Sequence, residues 1–158
     1  MGDEAPRDMS ETGEHRTPLP FPHPDRDVKT TKAGLVVLLV DDDHAAVTLT
    51  AVTLSRLGCR TFLAPNGDKA LEMLEHQPSV DVVVTDIDMP RMNGLELLWR
   101  IKHSARHRVI PVILYSGHDD SETMQRAVDE GCALYLVKPV EPDFLFEQIG
   151  TVTRGRAA

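Results

Sequence analysis

Apolar positions along this 158-residue chain come in two textures. Short unbroken runs of β-branched and aliphatic residues alternate with longer stretches in which apolar residues recur at three- and four-residue spacing. The unbroken runs, such as Leu35 to Val40 and Val82 to Val84, predict strands buried on both faces, as in a parallel sheet. The spaced stretches predict amphipathic helices. The run from Val80 into Asp86 is the centre of the pattern. Pro90 cannot extend its ladder, and Asn93-Gly94 is turn chemistry, so Asp86 falls at a strand's carboxyl end.

In chain order, the first strand, 35–40, ends in Asp41-Asp42-Asp43. A helix from His44 to Leu57 turns Val47, Ala51 and Leu54 inward; Asp42 or Asp43 caps its start and Gly58 its end. A strand over 60–64 precedes the Asn66-Gly67 turn and a helix from Asp68 to about Gln77, closed by Pro78, with Ala70, Leu71 and Leu74 inward. The central strand spans 80–86 and a helix runs from Leu95 to about Ser104. The remaining elements are a strand over 110–116, a helix over 122–131, a strand over 133–137 and a final helix opened by Pro142 with Leu145, Ile149 and Val152 on one face. Strands alternating with helices predict an α/β fold: a (βα)5, doubly wound, parallel five-stranded sheet of flavodoxin-like type with right-handed crossovers.

Residues 1–33 differ. Prolines recur at 6, 18, 20, 22 and 24 and large apolar residues are few, which predicts a disordered extension. Within it, Thr17-Pro-Leu-Pro-Phe-Pro22 suits polyproline II, as a partner motif or as inert spacer. The ordered domain is expected over 34–154, with a short tail at 155–158.

A net charge of −8 argues against a nucleic-acid footprint, so direct DNA binding is not expected. Cys59 and Cys132 lie far apart without metal-type spacing and read as reduced, partly buried thiols. Asp3, Glu4 and Pro6 stand where a signal peptide would be basic, then apolar. No run approaches the roughly 18–20 apolar residues of a spanning helix, and a cytoplasmic protein is expected.

The informative residues are the polar ones that end strands: Asp41 and Asp42 the first, Asp86 the third, Ser116 the fourth, Lys138 the fifth. A parallel sheet brings all its carboxyl ends to one edge, where open α/β folds place their ligand sites. Clustered carboxylates repel unless a cation sits among them, and a hard oxygen-seeking ion such as Mg²⁺ suits the set. Lys138 offers a point charge for phosphate.

At these residues the chain resembles the receiver domains of two-component response regulators. The matching pieces are Val40-Asp-Asp-Asp43, Thr85-Asp-Ile-Asp-Met-Pro90 with Asn93-Gly94, Tyr115-Ser-Gly117, Tyr135-Leu-Val-Lys-Pro139 and Ala64-Pro-Asn-Gly-Asp-Lys-Ala-Leu71, over about Leu35 to Val152. The resemblance implies a receiver fold and a phosphorylation-controlled binding module. Asp86 would be the phosphoacceptor, taking a phosphoryl group from a histidine kinase or phosphotransfer protein. Asp42, Asp86 and the backbone carbonyl of Asp88 would ligate Mg²⁺, while Asp41 holds metal-bound water. Lys138 would bridge to the phosphoryl oxygens, Ser116 and the Gly117 amide would bond one of them, and Ser116 with Tyr135 would form the switch. The Lys138-Pro139 bond would be cis. An unidentified effector would dock on the surface of residues 120–152. With only a short stretch after Lys138, output is expected through another protein or a phosphorelay, and the only chemistry expected is self-phosphorylation and slow self-dephosphorylation.

Other residues carry open readings. Asp88 and His118 each lie two positions past a site residue and could tune hydrolysis of the phosphoryl group. Tyr135 is a switch or simply a half-buried strand aromatic. His103 and His107 have zinc-compatible i, i+4 spacing but read as a solvated face near a helix end. Of Phe144 and Phe146, which flank the inward Leu145, at least one is expected to be exposed. Asp86-Ile-Asp88 also resembles the nucleophile motif of haloacid-dehalogenase-type phosphatases, although that family places it on the first strand with its acidic pair downstream. A flavodoxin-like cofactor binder is the third alternative, disfavoured by carboxylates where a flavin phosphate needs amides and hydroxyls.

Overall fold

The structure, a computed structural model, describes residues 34–77 and 79–157, with side chains through Arg154. Residues 1–33, with their proline-rich motif, and Pro78 lie outside the described residues. Strands β1 (Val36–Val40), β2 (Arg60–Ala64), β3 (Val82–Asp86), β4 (Val112–Ser116) and β5 (Leu134–Val137) alternate with helices α1 (His44–Arg56), α2 (Gly67–His76), α3 (Gly94–Lys102), α4 (Ser121–Asp129) and α5 (Pro142–Ala157). All strand pairings are parallel and the order is β2-β1-β3-β4-β5.

The unbroken apolar runs have a direct cause. Side chains alternate between faces along a strand, and both faces here are covered. Val36, Leu38, Val40 and Val83 join a core with Ala70, Leu74, Leu97, Leu98, Ile101 and Ala127 from α2, α3 and α4. Val37, Leu39, Val82 and Val84 face Val47, Ala51, Leu54, Leu145 and Ile149 from α1 and α5.

Helix starts are fixed by side-chain caps at the edge where the strands end. Asp43, not Asp42, caps α1, accepting from the Ala46 amide at 3.2 Å. Asn66, Asn93 and Asp120 cap α2, α3 and α4 through the Lys69, Glu96 and Thr123 amides at 2.8–2.9 Å. Asn66-Gly67 and Asn93-Gly94 are therefore helix entries rather than free turns, because the Asn oxygen that would close a turn instead satisfies an orphan helix amide. Gly58, with φ +103°, follows α1 as expected of a glycine stop.

Two readings are corrected. Phe146 is buried and Phe144 half-buried, so neither is exposed. The inward face of α5 is broad: Leu145, Phe146 and Ile149 sit at i, i+1 and i+4, within one wide apolar stripe. His107 is buried too, not solvated. The turn after α3 folds back so that its Nδ1 meets Ser104 Oγ at 3.2 Å and its Nε2 lies 3.9 Å from Glu75. His103 instead stacks on the exposed Trp99, ring centroids 4.0 Å apart. Among the described residues these histidines take no part in a three-ligand metal group.

Candidate phosphoacceptor site

The carboxyl edge of the sheet gathers the strand-end residues. Asp86 closes β3 and is 5% exposed; Asp41, one residue beyond β1, is 3% exposed; Ser116 closes β4 and is fully buried. Asp42 is exposed. Oxygens of Asp41, Asp42 and Asp86 lie within 4.8 Å of one another. Three hard carboxylates with one side open to solvent fit a hydrated divalent ion such as Mg²⁺, which keeps several waters and needs few protein ligands.

Lys138 enters from the loop after β5, carried by the cis Lys138-Pro139 bond that the resemblance implied. Its amide donates to the Ser116 carbonyl at 2.8 Å, tying the loop to the end of β4. Its Nζ stands 3.3 Å from Asp86 Oδ2 and 3.8 Å from Asp41 Oδ2. Burial pushes the Asp86 carboxyl above its ordinary range; Lys138 opposes that shift and the Asp41 charge adds to it. The pocket thus holds one acceptor oxygen between an ammonium and an anionic neighbour.

The backbone around Asp86 is held tightly. Its Oδ1 accepts from the Ile87 amide at 2.8 Å, and Thr85 Oγ1 donates to its carbonyl at 2.9 Å. Gly94 explains the glycine of Asn93-Gly94. A Cβ there would overlap the Asp86 carbonyl oxygen, and the Gly94 amide donates to Ile87 at 2.8 Å. Only glycine lets α3 start so close to the strand end.

Asp88 and His118, each singled out by sequence position, meet across the mouth of the site with Oδ2 and Nε2 2.9 Å apart, both exposed. The His118 amide donates to Ser116 Oγ at 3.0 Å, and Tyr135 Oη donates to the His118 carbonyl at 2.9 Å. Tyr135 is half-buried on the α2–α4 side, so its hydroxyl touches the loop that follows Ser116.

One participant was not anticipated as a site residue. Tyr115 Oη donates to Asp41 Oδ2 at 2.6 Å, and Lys138 Nζ lies 4.7 Å from the Tyr115 ring centroid. Burial pushes its hydroxyl pKa up, reinforced by its bond to Asp41, so it stays a donor. The available signal was a hydroxyl-bearing aromatic one residue before a strand-end serine. Strand alternation turns it to the face opposite Ser116.

Comparison with known proteins agrees with this geometry. Residues 37–150 match the family described as response regulator receiver domain. Two-component response regulator ORR5 of Oryza sativa subsp. japonica is 37% identical over 106 residues, covering 67% of this chain and 79% of that one. The two-component response regulator-like protein APRR5 of Arabidopsis thaliana is 38% identical over 110 residues, 69% of this chain but 20% of its own length. Among solved structures, chemotaxis protein CheY4 of Vibrio cholerae superposes with a TM-score of 0.71 at 27% identity, over 76% of this chain and 99% of that one. A CheY-like receiver domain protein from Methanospirillum hungatei gives 0.73 at 26% identity, over 79% and 98%. The phosphatase alternative fails on topology as well, since Asp86 ends the third strand and the acidic pair lies upstream on the first. With its fold, its strand-end pocket and its sequence in agreement, this chain belongs to the response regulator receiver family.

Proposed function

We propose that this protein is a phosphorylation-controlled signalling module whose acceptor is Asp86. The observation that carries the reading is the Lys138 ammonium 3.3 Å from an Asp86 oxygen that also faces two further carboxylates. Asp86 attacks the phosphorus of a phosphohistidine in line. The P–N bond breaks as the new O–P bond forms, and an acyl phosphate results. Positioning and charge neutralisation do most of the work in such a transfer. Asp42, Asp86 and the Asp88 carbonyl would hold Mg²⁺, with Asp41 on its water; the ion supplies charge neutralisation for the phosphoryl oxygens. Lys138 balances the remaining charge, and Ser116 with the Gly117 amide bonds a phosphoryl oxygen.

The acyl phosphate adds nearly two negative charges at one point. Ser116 is linked to Tyr135 through the His118 backbone, so a shift of Ser116 toward the phosphoryl group pulls on the contact that holds Tyr135. The resulting population shift is read on the surface of residues 120–152. That surface carries exposed Val128 and Val137 and a cleft of about 460 Å³ lined by Leu136, Val137, Pro139, Val140 and Phe144. A protein effector docks there, and a sensor histidine kinase or phosphotransfer protein supplies the phosphoryl group. The protein's own chemistry is confined to self-phosphorylation and slow self-dephosphorylation. It acts in the cytoplasm, consistent with the lack, among the described residues, of any helix long and apolar enough to cross a membrane. The functional unit begins at 34 and includes the whole of α5, which runs on past 154 to Ala157.

The test is intact-protein mass after incubation with acetyl phosphate, with and without Mg²⁺, for wild type and Asp86→Asn. One added phosphoryl group that requires both Mg²⁺ and Asp86 supports the reading. Phosphate released steadily over many turnovers, or an adduct that survives in Asp86→Asn, overturns it.

A further inference from the structure

Tyr115 touches both groups that flank the acceptor. Asp41 Oδ1 accepts from the Asp43 amide at 2.9 Å, and its Oδ2 accepts from Tyr115 Oη at 2.6 Å. Both oxygens of this buried carboxylate are therefore engaged, and its plane is fixed. The ring of the same tyrosine lies beneath the Lys138 ammonium, 4.7 Å from centroid to Nζ, while that Nζ stands 3.3 Å from Asp86. Tyr115 is the penultimate residue of β4 and packs on the α1–α5 core. Packing on that core asks only for an apolar body. A phenol hydroxyl placed among carboxylates is unfavourable unless it donates, and this one does so to a site residue.

We infer that Tyr115 is a positioning residue for the phosphoacceptor site: its hydroxyl presets the Asp41 carboxylate for the cation and its ring seats Lys138 for the phosphoryl group. The inference rests on the proposed phosphoacceptor reading. The two halves of the side chain act on separable steps. The hydroxyl acts on cation binding, because it fixes one of the three carboxylates that would hold the ion and its waters, as outer-sphere partners do for metal sites. The ring acts on transfer. Lys138 is a long side chain, about a third exposed, and a ring face that attracts its ammonium removes rotamer freedom before the donor arrives.

Two substitutions in the full chain separate these roles. Mg²⁺ affinity of the unphosphorylated protein is measured by isothermal titration calorimetry, and the phosphorylation rate by acetyl phosphate is followed against Mg²⁺ concentration. Tyr115→Phe, which keeps the ring, is expected to weaken Mg²⁺ binding about tenfold and to raise the half-saturating Mg²⁺ concentration more than it lowers the plateau rate. Tyr115→Leu is expected to weaken Mg²⁺ binding equally and to lower the plateau rate about threefold to tenfold further, the scale of a lost cation–π contact. A wild-type Mg²⁺ affinity in Tyr115→Phe overturns the inference, as does a fall in unfolding midpoint with affinity and rate unchanged, which would leave Tyr115 a core residue. If wild type binds Mg²⁺ but takes no phosphoryl group, the proposed function fails, while the affinity comparison still decides the hydroxyl's role.

Discussion

The Lys138 ammonium stands 3.3 Å from Oδ2 of Asp86, although β5 and β3 are separated in the sheet by β4. The reach comes from the loop after β5, which the Lys138 amide pins to the Ser116 carbonyl. Removing that ammonium leaves the developing charge on the transferring group without its fixed counter-charge. Lys138→Ala is expected to slow phosphorylation by acetyl phosphate about 100-fold, the scale of losing one preorganised electrostatic partner. Mg²⁺ binding should survive, since the three carboxylates remain. Rates measured at saturating Mg²⁺ check this.

Asp86 also sets a pH dependence whose sign follows from its raised pKa. Burial lifts the folded-state value above the ordinary 3.8, so the folded protein holds the proton more tightly than the unfolded chain. The Asp86 contribution to stability therefore falls as pH rises from about 3.8 through the raised folded value, and is flat above it. In Mg²⁺-free buffer at neutral pH, Asp86→Asn should be more stable than wild type by about 1 kcal/mol, an ordinary size for a single substitution. The difference should shrink on acidification, and added Mg²⁺, which binds the ionised form, should reverse it. Urea unfolding at several pH values provides the comparison.

Two glycines near the site make opposite predictions. A Cβ on Gly94 meets the Asp86 backbone, which cannot yield without moving the strand end, so Gly94→Ala should cost roughly 2–3 kcal/mol as overpacking. It should also slow phosphorylation, because the acceptor itself is displaced. A Cβ on Gly117 meets nothing within 4 Å, and Gly117→Ala should change stability by less than about 0.5 kcal/mol. Thermal unfolding of the two variants side by side decides the matter.

The Asp88–His118 pair bridges the mouth of the pocket at 2.9 Å, with both side chains more than half exposed. Such a pair contributes about 0–1 kcal/mol to stability, so Asp88→Asn should leave the unfolding midpoint nearly unchanged. Its effect should appear in decay of the phosphorylated form, which is expected to slow severalfold if Asp88 adds repulsion or orients water beside the phosphoryl group. Equal decay rates in wild type and Asp88→Asn would contradict this role.

The legible parts of the sequence were those where one physical constraint acts alone. Burial on both faces leaves strands such as Val36–Val40 no polar position, and the polar residue that closes each run marks the sheet edge, which placed Asp41, Asp86, Ser116 and Lys138 together. What was illegible had two competing uses for one signal. Asn66 and Asn93 offer the same side-chain oxygen to a turn or a helix cap, and only the position of the next element decides. His107 lies past the end of a periodic stretch, where no pattern states which way the chain folds back. Tyr115 obeyed strand alternation, yet its length carries the hydroxyl past the core to Asp41.

Phosphorylation of Asp86 is read directly by borohydride trapping. Reduction of an acyl phosphate leaves homoserine at the modified aspartate, which peptide mass spectrometry locates. After acetyl phosphate and Mg²⁺ treatment, homoserine is expected at position 86 alone, and absent when Mg²⁺ is chelated. Homoserine at position 41, 42 or 88, or its appearance at 86 regardless of Mg²⁺, would rule out Mg²⁺-dependent phosphorylation of Asp86.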